Sequence, residues 1–183
     1  MNVIIDIIGS TFIGGVVLLL ILQLNSSLSD SLSSRTIGYT AQSNISAMAR
    51  VMEKDFKKIG LGVSDSIKIS TADSSKITFI YDKDNNGTID SMSYYTSSTS
   101  VLSGTSNPND RLLYRVVNND AALTSNLGVT KFNVYYFDSL GQVTNHRSKI
   151  RFFKVKLTVE STFANNNAYG GAYWEKIFKP KNL

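Results

Sequence analysis

The chain has 183 residues, no cysteine, a single histidine and a net charge of +5 carried by scattered lysines and arginines. Without thiols there is neither a disulfide framework nor a thiolate metal centre, and the lone His146, in a polar turn, leaves acid–base and metal chemistry poorly supplied. No G-x-S-x-G elbow or glycine-rich phosphate loop is present, so the chain is not expected to be an enzyme. Positive charge without a basic run argues for solubility rather than for nucleic-acid binding.

Residues 3–24 (VIIDIIGSTFIGGVVLLLILQL) form the only long apolar run. About twenty such residues suffice to span a bilayer as one helix. No Lys or Arg precedes Arg35, so the basic start of a secretory signal is missing and the segment reads as retained. Asp6 stands near its beginning, where an unpaired charge costs several kcal/mol unless it is neutralised or reaches water. Two readings are open at this point: a plain anchor whose acid reaches the interface, or a helix that pairs its acid with a partner. Gly9, Gly14 and Gly15 allow close helix approach in an apolar bundle, or simply face lipid.

Residues 25–35 are serine-rich and weak by propensity, yet Leu24, Leu28 and Leu32 keep helical spacing. Beyond them Ile37, Ala41, Ile45, Met48, Met52, Phe56 and Ile59 recur every three or four residues, and Glu53 is placed to pair with Lys57. Gly60 and Gly62 mark the end. One helix to Ile59 would be about 85 Å long.

After Gly62 the period becomes two. Ile77, Phe79 and Tyr81 share one face of a strand, and a second strand returns over residues 89–95. Residues 96–110 read as a surface loop, the most mobile part of the chain. Leu112, Tyr114 and Val116 define a face of the next strand, while Phe132, Val134 and Tyr136 point inward from another. The clearest alternation is Phe153, Val155, Leu157 and Val159 against Lys154, Lys156, Thr158 and Glu160. A polar turn at 165–171 leads to a last strand carrying Tyr173, Glu175 and Ile177. Tyr94, Tyr95, Tyr135, Tyr169 and Tyr173 are exposed aromatics that pack across strands or meet a partner. An antiparallel sheet with one apolar face needs a cover, and the helix stripe is the only long amphipathic element available. The expected fold is α+β: a long N-terminal helix, apolar then amphipathic, packed on an antiparallel sheet.

Between the first two strands Asp82, Asp84, Asn86, Thr88 and Asp90 fall on the spacing of a calcium loop. Position twelve is Ser93, and strands rather than helices flank it, so an acidic hairpin turn is the first reading and weak calcium binding the alternative. No other cofactor is expected.

These features resemble type IV pilins and type II secretion pseudopilins. Ala49-Arg50-Val51-Met52-Glu53-Lys54-Asp55-Phe56-Lys57-Lys58-Ile59-Gly60 is similar to the helix end of W-type minor pilins and J-type pseudopilins. The hairpin at 77–95, Leu113-Tyr114-Arg115, the stretch 129–141 (VTKFNVYYFDSLG) and the closing Pro180-Lys181-Asn182-Leu183 echo the same families. Those families carry a basic leader and usually a glutamate at the fifth mature position; with Met1 removed, Asp6 is fifth here. The resemblance implies a filament-forming structural subunit stored in the inner membrane and then displayed in an extracellular fibre. Residues 1–24 would form the filament core, 25–62 the amphipathic continuation and 63–183 the head. It implies as partners other copies or other pilins, joined through their N-terminal helices, and the assembly machinery of the inner membrane. Asp6 would then meet a neighbour's N-terminal ammonium. The alternatives are a pseudopilin of a short periplasmic fibre and a single-pass protein whose head binds a ligand without polymerising.

Overall fold

The computed structural model describes residues 3–118, 120–165 and 168–183, with residues 125 and 126 described by their backbone alone. One helix, α1 (Val3–Phe56), runs unbroken for 54 residues, about 81 Å at 1.5 Å per residue. The serine- and threonine-rich turns stay helical because their hydroxyls fold back onto the helix. Thr36 Oγ1 donates to the Leu32 carbonyl at 2.9 Å, Thr40 Oγ1 to Thr36 at 2.9 Å and Ser46 Oγ to Gln42 at 2.7 Å, a pattern open to helical Ser and Thr. The helix stops at Phe56 rather than Ile59. There the Lys58 N–H bonds the Asp55 carbonyl at 2.9 Å, tightening the last turn, and Gly60 (φ 70°) and Gly62 (φ 69°) turn the chain into the left-handed region. Ile59 is nonetheless fully buried.

Seven strands follow: β1 (Ile69–Asp73), β2 (Lys76–Tyr81), β3 (Asp90–Thr96), β4 (Arg111–Val117), β5 (Leu123–Phe137), β6 (Phe152–Glu160) and β7 (Gly171–Phe178). They form one antiparallel sheet in sequential order. The sequence pattern missed β1 and the first half of β5, neither of which alternates cleanly. β5 has 15 residues, and β4 pairs with its first half only, from Arg115↔Leu123 to Arg111↔Val129. Its second half takes the β1–β2 turn on that edge: Val134 N–H donates to the Ser74 carbonyl at 2.8 Å, and the Tyr136 hydroxyl reaches the carbonyls of Asp73 and Lys76, each at 3.1 Å. The polar turn expected at 165–171 includes residues 166 and 167, which lie outside the described residues.

The buried stripe of α1, Ala41, Ile45, Met48, Met52 and Phe56, lies on the face formed by Ile77, Phe79, Met92, Phe132, Val134, Phe153, Val155, Leu157 and Val159. Phe56 is its hub. Its ring meets those of Phe79, Tyr94, Phe153 and Phe178 edge-on, with centroids 5.8, 5.3, 5.3 and 5.0 Å away. Edge-to-face packing at these separations stabilises beyond area burial. At the lower end Gly170 lets the head touch the helix: a Cβ there would lie 2.6 Å from Ile37 Cγ2.

Four expectations need correction. In β4 the core side chain is Leu113, 4% exposed; Leu112, Tyr114 and Val116 share a face, but it is the outer one, where Tyr114 stacks on Tyr95. Hydrophobicity alone cannot orient a strand such as Arg-Leu-Leu-Tyr-Arg-Val-Val, apolar at both parities. Glu53 pairs across to Lys176 Nζ at 2.7 Å instead of to Lys57. Tyr94 is buried, not exposed. Loop 96–110 contains a short 3₁₀ turn (Thr99–Leu102) and is tied down by buried Asn107, whose Nδ2 donates to Glu160 Oε2 at 3.0 Å and to the Ser161 carbonyl at 3.1 Å.

Candidate functional site

Above its contacts with the head, α1 stands alone. Residues 3–36 are all exposed, and the first hydrogen bonds from the head reach it at Asp30 and Ser34, through Asn165 Nδ2. The helix is long and apolar enough to cross a membrane, and none of its apolar window is buried. Ile4 is 71% and Phe12 72% exposed. So much continuous apolar surface calls for lipid or protein.

Asp6 lies within this surface, one turn below Ser10 and Thr11. Those hydroxyls donate to the Ile7 carbonyl, at 3.0 and 2.8 Å. Asp6 is the only acidic or basic side chain between residues 3 and 29. Gly9, Gly14 and Gly15 have nothing within 4 Å of an added Cβ; the chain by itself gives them no neighbour. Met1 and Asn2 lie outside the described residues, so the reading that counts Asp6 from a processed terminus falls there too.

What fixes this projecting rod to the head is a residue that the sequence pattern did not single out. Asp55 is 2% exposed and sits in the helix stripe three residues after Met52. Its Oδ2 accepts from the Tyr94 hydroxyl at 2.5 Å and from Arg115 Nε at 2.7 Å, while Lys58 Nζ lies 3.9 Å from Oδ1. Thus α1, β3 and β4 meet at one carboxylate. Burial, then the Asp55 hydrogen bond, pushes the Tyr94 phenol far above its usual range, so it stays a donor. The bond to Asp55 likewise raises Arg115, which stays a cation. A buried ion pair satisfied by a third group orients elements more than it stabilises them. The signal in the sequence was an acid on the apolar stripe, together with an arginine in the middle of a strand.

The acidic loop brings together three of its five named residues: carboxylate oxygens of Asp82, Asp84 and Asp90 lie within 4.8 Å of one another. Much of their capacity is used by the loop itself. Asp82 accepts from the N–H groups of Asn86 (3.2 Å) and Gly87 (2.9 Å), and Asp90 from the Lys83 N–H and from Asn118 Nδ2, both at 2.8 Å. Asn86 Oδ1 takes the Thr88 N–H at 2.7 Å. The hydrogen bond from Asn118, with that from Lys83, holds the Asp90 carboxyl below its ordinary range. The turn thus closes on its own carboxylates, with Asn85 (φ 59°) and Gly87 (φ 83°) supplying the left-handed conformations.

The remaining aromatics also find partners within the head. Tyr135 lies under Lys154 and Lys156, the Tyr173 hydroxyl bonds Glu175, and the Tyr169 hydroxyl reaches the Ser106 carbonyl at 2.7 Å. His146 is exposed.

Comparison with curated proteins and with solved structures gives no match. A family model does match, over residues 36–183, which take in the amphipathic half of α1, the Asp55 junction and the whole sheet. It describes the prepilin peptidase-dependent protein B family (PpdB), and the chain belongs to that pilin-related family.

Proposed function

We propose that the chain is a structural subunit of a type IV pilus-like filament that polymerises through its N-terminal apolar helix. The observation that carries this reading is the helix itself: residues 3–36 are wholly exposed, and residues 3–29, the whole apolar run included, hold Asp6 as their one acid and no base. In the inner membrane lipid covers this surface; in a fibre the same helices of neighbouring subunits cover it. Asp6 then loses access to water and pairs with the N-terminal ammonium of the adjacent subunit, which selects one register along the bundle. Gly9, Gly14 and Gly15 let the helices approach closely around that pair. The family's name implies processing by a prepilin peptidase, and removal of Met1 would make Asp6 the fifth residue.

Within this class the helix end at 49–60 and the Leu113-Tyr114-Arg115 strand favour a minor subunit of W-type or J-type character, in a surface pilus or in a short pseudopilus. The Asp55 junction supports this reading, because a helix under load in a fibre needs an oriented attachment to its head.

The test is to shear cells and probe the released fibres for this chain, with Asp6→Ala alongside. Incorporation should fall by about tenfold or more in the variant, as the loss of a buried ion pair demands, while membrane levels and head folding stay unchanged. Recovery of the wild-type chain in the membrane fraction alone would favour the pseudopilin or a non-polymerising anchor. Normal fibres from Asp6→Ala would remove the pairing role.

A further inference from the structure

Buried polar groups in the head are few, and four of them, Ser97, Asn107, Asp110 and Thr130, line the loop 97–110 and the strand on which it closes. Two are fully used. Ser97 Oγ accepts the Leu112 N–H at 2.9 Å and donates to the Ser98 carbonyl at 2.8 Å, and Asn107 ties the loop to Glu160 and Ser161.

The other two have nothing. Asp110 is 1% exposed, yet neither carboxylate oxygen has a hydrogen-bond partner, and Thr130 Oγ1 has none either. The pairing Arg111↔Val129 sets Asp110 abreast of Thr130 on the neighbouring strand. Among the described residues no cation pairs with Asp110. The Arg111 guanidinium turns to the Ser97 carbonyl at 3.0 Å, Thr105 Oγ1 is directed at the carbonyls of Leu102 and Asn107, and the neighbouring titratable group is another acid, Glu160. Burial pushes the Asp110 carboxyl above its ordinary range; the nearby Thr105 hydroxyl draws it back in part, and the charge of Glu160 adds to the rise. Glu160 Oε2 receives Asn107, leaving Oε1 without a hydrogen-bond donor among the described residues.

A buried carboxylate without a partner is among the costliest groups a fold can hold. One proton on Asp110 would leave an oxygen and the Thr130 hydroxyl still unpartnered, and a water molecule brings no charge to offset two acids. A hard divalent cation does both. We propose that a calcium ion binds between Asp110 and Glu160, drawing on both Asp110 oxygens, Glu160 Oε1 and Thr130 Oγ1, and pins loop 97–110 to the ends of β4, β5 and β6. Calcium suits the place better than magnesium, because it accepts bidentate carboxylates and irregular geometry and sheds water readily. This site is separate from the Asp82–Asp90 loop, where the Asp82 and Asp90 carboxylates already accept N–H donors.

The test uses the full chain in detergent, with thermal unfolding followed by circular dichroism near neutral pH, in EGTA and then in increasing calcium chloride. A saturating rise in Tm is expected, about 5–10 °C at a hundredfold excess over Kd. Asp110→Asn should lose the rise, Glu160→Gln should weaken apparent affinity about tenfold for the loss of one charged ligand, and Asp84→Asn should keep the rise. No calcium response in the wild-type chain would overturn the proposal. So would a response that survives in Asp110→Asn and vanishes in Asp84→Asn, which would place the ion in the acidic loop.

Discussion

Replacing Asp55 by alanine removes the carboxylate at which helix and sheet meet. The lost group accepts a charge-assisted bond from Arg115 and a short bond from Tyr94. A hydrogen bond to a charged group contributes about 1.5–3 kcal/mol, and an orphaned buried hydroxyl costs about 1–3 kcal/mol. The Arg115 side chain is 26% exposed and can turn to water, whereas the Asp55 side chain is 3% exposed. The guanidinium penalty is therefore partial, and the contact with half-exposed Lys58 adds little. The net expectation is a loss of about 3 kcal/mol for Asp55→Ala. Arg115→Met should cost at least as much, since it strands a carboxylate that cannot reach water. Tyr94→Phe should cost about 1 kcal/mol. Denaturant unfolding of the full chain in detergent measures these differences, with Trp174, which packs against the core, as the fluorescent reporter. The Asp55→Ala, Arg115→Met double-mutant cycle should show coupling of about 1.5–2 kcal/mol. Additivity within about 0.5 kcal/mol would refute the view that these residues act as one junction.

Further outcomes are expected. Gly128 has φ 76°, and a Cβ there would lie 2.0 Å from the Glu160 carbonyl oxygen; Gly128→Ala should destabilise the head by about 2–3 kcal/mol in urea, through strain and displaced strand pairing. Glu53→Gln breaks an ion pair between partly exposed side chains, and its effect should stay under about 1 kcal/mol and shrink with added salt. Asp90 has a lowered pKa in the fold, so its contribution is present above the ordinary carboxylate range and is lost as pH falls through the folded value. An unfolding midpoint that drops between about pH 5 and pH 2 should drop less steeply in Asn118→Ala, which lacks the main cause of the shift.

How much of this was legible in the sequence depended on how local the deciding physics was. Residues 3–24 announce a membrane-length helix by composition alone, and the stripe from Ile37 to Ile59 names the covered face, because helical periodicity is written at intervals of three and four residues. β6 was equally plain: Phe153, Val155, Leu157 and Val159 alternate with polar partners and are all fully buried. β4 was ambiguous, because apolar residues occupy both parities and only the position of α1 decides that Leu113 faces in. Glu53 had a suitable partner one turn away in Lys57, yet the sheet offers Lys176.

The junction at Asp55 shows the division most clearly. The chain alone supplies an acid on an apolar stripe, an observation that could equally mark a solvated edge of the helix. Tyr94 and Arg115 lie 39 and 60 residues away, and no local pattern links them. Asp110 and Thr130 are likewise ordinary polar residues until the Arg111↔Val129 register buries them side by side. Apolar length and periodicity are properties of neighbours in the chain and can be read directly; the pairing of buried charges depends on strand register and on where the helix lies, and is settled only when the sheet closes.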